Sequence, residues 1–176
     1  MQIMNNQTSA EIDIKRIQIA GFKSDLTNFK EVMEELKLNY PSCVIQLMDA
    51  DAVAGVQHVL NSTIHAIKSF SRNENIASDI GLEICVRTSG QRQISQAIKM
   101  LGIRNGKMNV CAVALDCKSN IMEDLINILG LRDDHVLEPD TDKLRSIYKI
   151  SDTQLETNPD ISKILMEKTA LLIIDT

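Results

Sequence analysis

At 176 residues, with 44% apolar residues and a net charge of −5, the chain has enough apolar material for one buried core and is too acidic overall for bulk affinity to nucleic acid. Aromatic residues are only 3% and Trp is absent, which argues against an RNA reader built on aromatic stacking. No apolar run approaches the ~20 residues needed to span a bilayer and no charged-then-apolar leader is visible, so the expected compartment is the cytoplasm.

Residues 1–9 are polar and without periodicity, and are expected to be a flexible N-terminus ahead of a single domain over 10–176. Ile12, Ile14, Ile17 and Ile19 predict a first strand with an irregular register near Lys15 and Arg16, ended by Gly21. Ser24 or Asp25 can cap a helix reaching about Lys37, with Leu26, Phe29, Val32, Met33 and Leu36 inward, broken by Pro41. Val44 to Met48 predicts a second strand.

From Asp51 to Ile103 the pattern predicts helix, loop, strand, helix. Val56, Val59, Leu60, Ile64, Ile67 and Phe70 recur at helical spacing and form one apolar stripe. Gln57, Asn61, His65, Lys68 and Arg72 form a second stripe with two cations and no carboxylate. Gly81 to Thr88 is an apolar run that predicts a strand, and Ser89 to Leu101 a helix. The turn Thr88-Ser89-Gly90-Gln91-Arg92-Gln93 would present helix N-terminal N–H groups beside Arg87 and Arg92, where anions are attracted. Residues 52 to 115 carry seven cations and three acids, a balance of +4 that leaves −9 for the rest. A basic middle in an acidic chain suits a local site for a phosphate-bearing partner; solvated helix faces are the plainer explanation.

Arg104 to Lys107 predicts a tight turn, and Met108 to Leu115, the most apolar strand, is expected at the centre of the sheet. Ser119 or Asn120 can cap a helix through Leu129 that Gly130 stops, and Asp134 to Glu138 suggests a short edge strand. Asp140-Thr141 opens a helix to Ile150, and Ser151 caps a brief turn. Pro159 to Ile174 predicts a last helix whose apolar residues, Leu165, Leu171, Leu172 and Ile173 among them, are spread too widely for one buried side. They either fill the chain's own core or dock a partner protein. The fold class is α/β or α+β: a single domain, a four- or five-stranded sheet covered by helices, with a C-terminal helix.

No G-x-x-x-x-G-K-[ST] or G-x-G-x-x-G cradle is present, so no nucleotide cofactor is expected. Cys43, Cys85, Cys111 and Cys117 form no C-x-x-C pair; neither a metal site nor a disulfide framework is expected. Asp49, Asp51 and His58 are the residues an enzyme acting on a small phosphorylated ligand would use, but no nucleophile or orienting carboxylate accompanies them. The pattern is that of a binding and regulatory protein with no catalytic residues.

The segments A-G-V-Q-H-V-L, A-I-K-S-F, N-I-A-S-D-I-G-L-E-I and S-G-Q-R-Q-I-S-Q-A-I, with V-L-E-P-D-T-D-K-L-R-S-I-Y-K-I and L-M-E-K-T-A-L-L, resemble the archaeal branch of a known family. It is the small kinase-associated regulatory subunit of the KEOPS complex, the PRPK-binding protein or CGI-121 family. The resemblance runs from about Ile12 and is most specific from Asn75 to Ile103. It implies a non-catalytic subunit of the machinery that makes threonylcarbamoyladenosine beside the anticodon of tRNA. Such a subunit binds the N-lobe of a small atypical kinase/ATPase and, in archaeal members, the unpaired 3′ CCA end of tRNA. On that reading Lys68 and Arg72 contact phosphates, and Arg87 and Arg92 with Ser89 and Gly90 form a second set. Asn75 and Ile76 bound a pocket for the terminal adenine, Gln91 or Gln93 reads a base edge, and Leu165, Leu171, Leu172 and Ile173 meet the kinase. An adaptor that binds protein without touching RNA is the alternative.

Overall fold

The computed structural model describes residues 12–174, so the N-terminal nine residues lie outside the described part. Its sheet is antiparallel with four strands: β1 (Ile17–Leu26), β2 (Val44–Asp49), β3 (Gly106–Leu115) and β4 (Leu131–Arg132), in the order β2-β3-β1-β4. β3 is central as its composition predicts. It pairs with β1 from Ile17–Leu115 to Leu26–Gly106 and with β2 from Val44–Leu115 to Asp49–Val110.

Both sheet faces are covered, which is why β3 is apolar at nearly every position. One face carries Ala20, Phe22, Leu47, Val110, Ala112 and Ala114. On it lie α1 (Phe29–Asn39), α5 (Ile121–Asp124) and α6 (Ile126–Leu129), through Leu36, Ile121, Leu125 and Leu129. The other carries Met48, Cys111 and Val113, beneath α2 (Val56–Ser71), α3 (Ile80–Ser89) and α4 (Ile94–Leu101). Beyond them come α7 (Thr141–Tyr148), α8 (Asp152–Thr157) and α9 (Ile161–Ile174).

Several elements differ from the pattern-based expectation. The irregular register near Lys15 is a 3₁₀ turn capped by Asp13, so the strand starts at Ile17. It runs straight through Gly21, where a Cβ would come within 2.5 Å of Val136 and 2.7 Å of the Asp133 carbonyl. Gly21 therefore marks close passage of another segment, not a strand end. The helix cap is Asn28 rather than Ser24 or Asp25. Asp134 to Leu137 is a 3₁₀ turn and not an edge strand: the Asp134 carboxylate accepts the Gly21 N–H at 2.9 Å, replacing a ladder bond.

The largest correction is Gly81 to Thr88, which is helix α3. Asp79 caps it, its side chain accepting the Leu82 N–H. A short, fully buried apolar run has the same one-dimensional signature as a strand. The helical sign within it is the pair Glu83 and Arg87, four apart and thus on one helix face. The expectation of no disulfide is also corrected. Cys43 and Cys117 form one, Cα–Cα 5.0 Å across 74 residues, between the start of β2 and the end of β3. Cys85 and Cys111 are free and buried.

Candidate functional site

The basic residues singled out from the sequence are organised by α2, and α2 packs on an unexpected face. Its buried positions are His58, Val59, Ser62, Thr63, Ala66 and Ser69. The apolar stripe Leu60, Ile64, Ile67, Phe70 is only half-buried and Val56 is exposed. Small side chains let α3 and α9 approach closely. The hydroxyls of Ser62, Thr63 and Ser69 donate back to the carbonyls of His58, Val59 and Ala66, so none of the three is left unsatisfied. This rotation turns the polar stripe toward α9.

There His65, Lys68, Ser69 and Arg72 of α2 meet Glu74, Arg87 and Leu172 around a cavity of about 130 Å³. Lys68 and Arg72 are exposed at its rim. Half-buried His65 is held below the usual imidazole range, first by burial and then by the cations of Lys68 and Arg87. Arg87 is not the surface cation its position in a strand would make it: its side chain is 2% exposed. Its Nε donates to Glu83 Oε1 at 2.8 Å and its Nη2 to the Glu74 carbonyl at 3.4 Å. Three cations and a histidine thus surround a small volume in which Glu74 is the only carboxylate of the wall. Because Arg87 is paired with Glu83 and Glu74 stands in the wall, the excess positive charge of the site comes from Lys68 and Arg72 at its rim.

None of the remaining predicted residues is in the wall of that cavity. Asn75 and Ile76 are in the α2–α3 loop; Asn75 Nδ2 donates to the Ala77 carbonyl and the Ile76 N–H to Glu83. Ser89 is fully buried, donating to the Val86 carbonyl and accepting the Gln91 N–H. It shapes the turn and faces no solvent. Gly90 ends α3 in the left-handed conformation, φ 64°, where a Cβ would stand 3.0 Å from Lys168 of α9. Gln91 is half-buried, and Arg92 and Gln93 are exposed at the start of α4. Arg92 Nη1 donates to the Leu172 carbonyl at 3.3 Å, so Leu172 both walls the cavity and ties down Arg92.

The apolar residues of α9 divide. Leu165 and Leu172 are buried inside the chain, with Ile161 and Ile164, and so cannot belong to an open docking face. Leu171 is 54% exposed. Ile173 lies in the last helical turn, and its side chain is outside the described part.

A family model described as kinase binding protein CGI-121 matches residues 23–172. The chain belongs to the CGI-121 family. The regulatory protein Cgi121 of Methanocaldococcus jannaschii is 37% identical over 128 residues, 72% of this chain and 81% of that protein. The KEOPS complex subunit Cgi121 of Pyrococcus abyssi is 35% identical over 144 residues, 82% of this chain and 81% of its own length. Within this CGI-121 chain the residues considered for small-ligand chemistry are occupied otherwise. Asp49 pairs with Arg104 at 2.6 Å and Asp51 with Lys143 at 3.4 Å. His58 is fully buried. Its Nδ1 accepts the Ala54 N–H at 3.0 Å, so Nε2 carries the proton and donates to the Thr88 carbonyl at 3.0 Å. Tyr148 donates to the Ala52 carbonyl beside it. The group is a buried clamp joining α2, the end of α3 and α7. Among the described residues no three His, Cys, Asp or Glu side chains gather as a metal site, and no helix is long and apolar enough to cross a membrane.

Two participants are not evident from the sequence: Glu83, which there is one acid in a charge count, and Leu172, which reads as a kinase contact. The i,i+4 Glu–Arg spacing is the available signal for the first. Nothing local signals the second, because α9 reaches the cavity from the far end of the chain.

Proposed function

We propose that this protein is a non-catalytic accessory subunit of a KEOPS complex, acting in the threonylcarbamoyladenosine modification of tRNA. It binds the N-lobe of the complex's small atypical kinase/ATPase and recruits tRNA through the single-stranded 3′ CCA end. The partner half is supported by the family's description as kinase binding and by the name of the Pyrococcus abyssi relative. The RNA half is carried by one observation: the cavity walled by Lys68, Arg72, Arg87 and His65.

A single strand is held by cations along its phosphates and by groups that read exposed base edges. Lys68 and Arg72 take the phosphate role at the rim. Arg87 offers its guanidinium from the cavity floor. Arg92, Gln91 and Gln93 beside Ser89 and Gly90 form the second set, and Asn75 and Ile76 bound the pocket from the loop. The kinase-binding surface is assigned to the outer face of α9, with Leu171 meeting the kinase and Leu165 and Leu172 anchoring the helix from within.

Charge reversal tests the assignment. The double substitution Lys68→Glu, Arg72→Glu should leave the fold intact and weaken tRNA binding. The slope of log affinity against log salt should become shallower by about 0.7 for each phosphate that is no longer neutralised. Unchanged affinity and slope would remove these residues from the site. The adaptor reading has one observation in its favour: Arg87, the buried cation of the cavity wall, is already paired with Glu83, which leaves only the exposed Lys68 and Arg72 of that wall without a carboxylate partner among the described residues.

A further inference from the structure

We infer that Glu83 is a positioning residue for the RNA pocket, setting both the α2–α3 loop and the guanidinium of Arg87; the inference rests on the RNA reading above. The Glu83 side chain has no exposure, and a buried carboxylate is stable only if its lone pairs are filled. Three N–H donors and one shared hydroxyl fill them. Arg87 Nε donates to Oε1 at 2.8 Å, and Ser69 Oγ, whose single proton is shared with the nearer Ala66 carbonyl, lies 3.2 Å from Oε1. The backbone N–H groups of Ile76 at 2.8 Å and Ala77 at 2.7 Å donate to Oε2.

Those donors come from the parts that make the pocket. Ser69 and Arg87 are in its wall, and Ile76 and Ala77 lie in the middle of the α2–α3 loop, directly after Glu74 and Asn75. The rest of the loop is held by the Asn73 N–H to the Phe70 carbonyl at 3.2 Å, the Glu74 N–H to the Ser69 carbonyl at 2.8 Å, the Asn75 side chain to the Ala77 carbonyl, and the burial of Ala77 against Val86 and Leu172. Glu83 also fixes how Arg87 is turned. One edge of the guanidinium is engaged through Nε and Nη2, by Glu83 and the Glu74 carbonyl. Nη1 then has no partner among the described residues, on a side chain that lines the cavity. The arrangement separates two tasks: Lys68 and Arg72 supply sequence-blind charge at the rim, and the Glu83-held loop with Arg87 supplies the shape that distinguishes a 3′ end.

The test is Glu83→Gln, which keeps the size but sets an amide N–H against donors that need an acceptor. Binding is measured for intact and CCA-trimmed tRNA across salt, with amide hydrogen exchange at Ile76 and Ala77. The expected result is a preference for intact tRNA reduced by about tenfold, with the salt slope retained and the two amides exchanging faster. A general loss of fold would lower both RNAs together and shift the melting temperature instead. Should the single substitution prevent folding, Glu83→Gln with Arg87→Met removes the unpaired buried cation, and its preference for intact tRNA should also be lost. A folded protein carrying either change that keeps the wild-type preference and amide protection overturns the inference. If the unmutated chain itself binds no tRNA, the RNA reading fails and the inference with it, and that failure is recognised because it precedes any substitution.

Discussion

His58 makes the stability of this fold depend on pH in a way that can be worked out in advance. The ring is fully buried, accepts the Ala54 N–H at Nδ1 and donates from Nε2 to Thr88, so the folded chain holds it neutral. Burial lowers its pKa to about 4 from the ordinary 6.5, against a smaller opposing pull from the Thr88 carbonyl. The unfolded chain therefore binds a proton through the window between those values and the folded chain does not. Stability from this group is complete above pH 6.5, is lost as pH falls, and levels off below about 4. The full difference is worth about 3 kcal/mol, more than half of it already gone at pH 5. Urea unfolding of the wild type and of His58→Gln, which can still accept and donate one bond each, measures this at pH 7.5, 6 and 5. Groups common to both, His65 and the carboxylates, cancel in the comparison. Near pH 5 the wild type should lose stability more steeply than the His58→Gln protein, by about 1 kcal/mol or more per pH unit. Parallel curves would refute the neutral, doubly bonded assignment of His58.

Three further outcomes follow from the same geometry. Reducing the Cys43–Cys117 bond, or replacing both cysteines with Ser, frees a loop spanning 74 residues; the chain-entropy ceiling is about 4 kcal/mol, read as a lower unfolding midpoint with reductant than without. Gly90→Ala forces a side chain into the left-handed region against Lys168 and should cost about 1–2 kcal/mol in urea unfolding, whereas equal stability would mean α9 yields there freely. Leu171→Asp should weaken capture of the kinase while leaving the melting temperature unchanged, and Leu165→Ala, inside the core, should destabilise the chain by about 2–5 kcal/mol. Kinase capture unaffected by Leu171→Asp would move the kinase-binding surface off α9's outer face.

How far the sequence can be read depends on where each element's partners lie. β3 is legible because a strand buried on both faces is an unbroken apolar run, as it is from Val110 to Leu115. The α7 and α8 starts are legible because Asp140 and Ser151 cap them locally. α3 is not, because its periodicity is erased by burial on all sides, and the Glu83–Arg87 pair that marks it as helical looks in one dimension like two surface charges. The buried face of α2 is misjudged for a related reason: Ser62, Thr63 and Ser69 satisfy their hydroxyls within the helix and pack as small residues, so polarity ceases to indicate exposure. The disulfide cannot be seen at all, since Cys43 and Cys117 are brought together only by the pairing of β2 with β3. For the candidate site, Lys68, Arg72 and Arg87 are legible as basic residues, but the burial of Arg87 is not, because it depends on Glu83 and on α3 being a helix.

The central claim is tested most directly by measuring the affinity of the purified, unmodified protein for one tRNA with and without its CCA end, over a range of salt concentrations. Binding that requires the CCA end and weakens with salt is the predicted result. Equal binding to both RNAs, or none at low salt, would contradict recruitment through the 3′ end and leave a protein that serves its complex by binding the kinase alone.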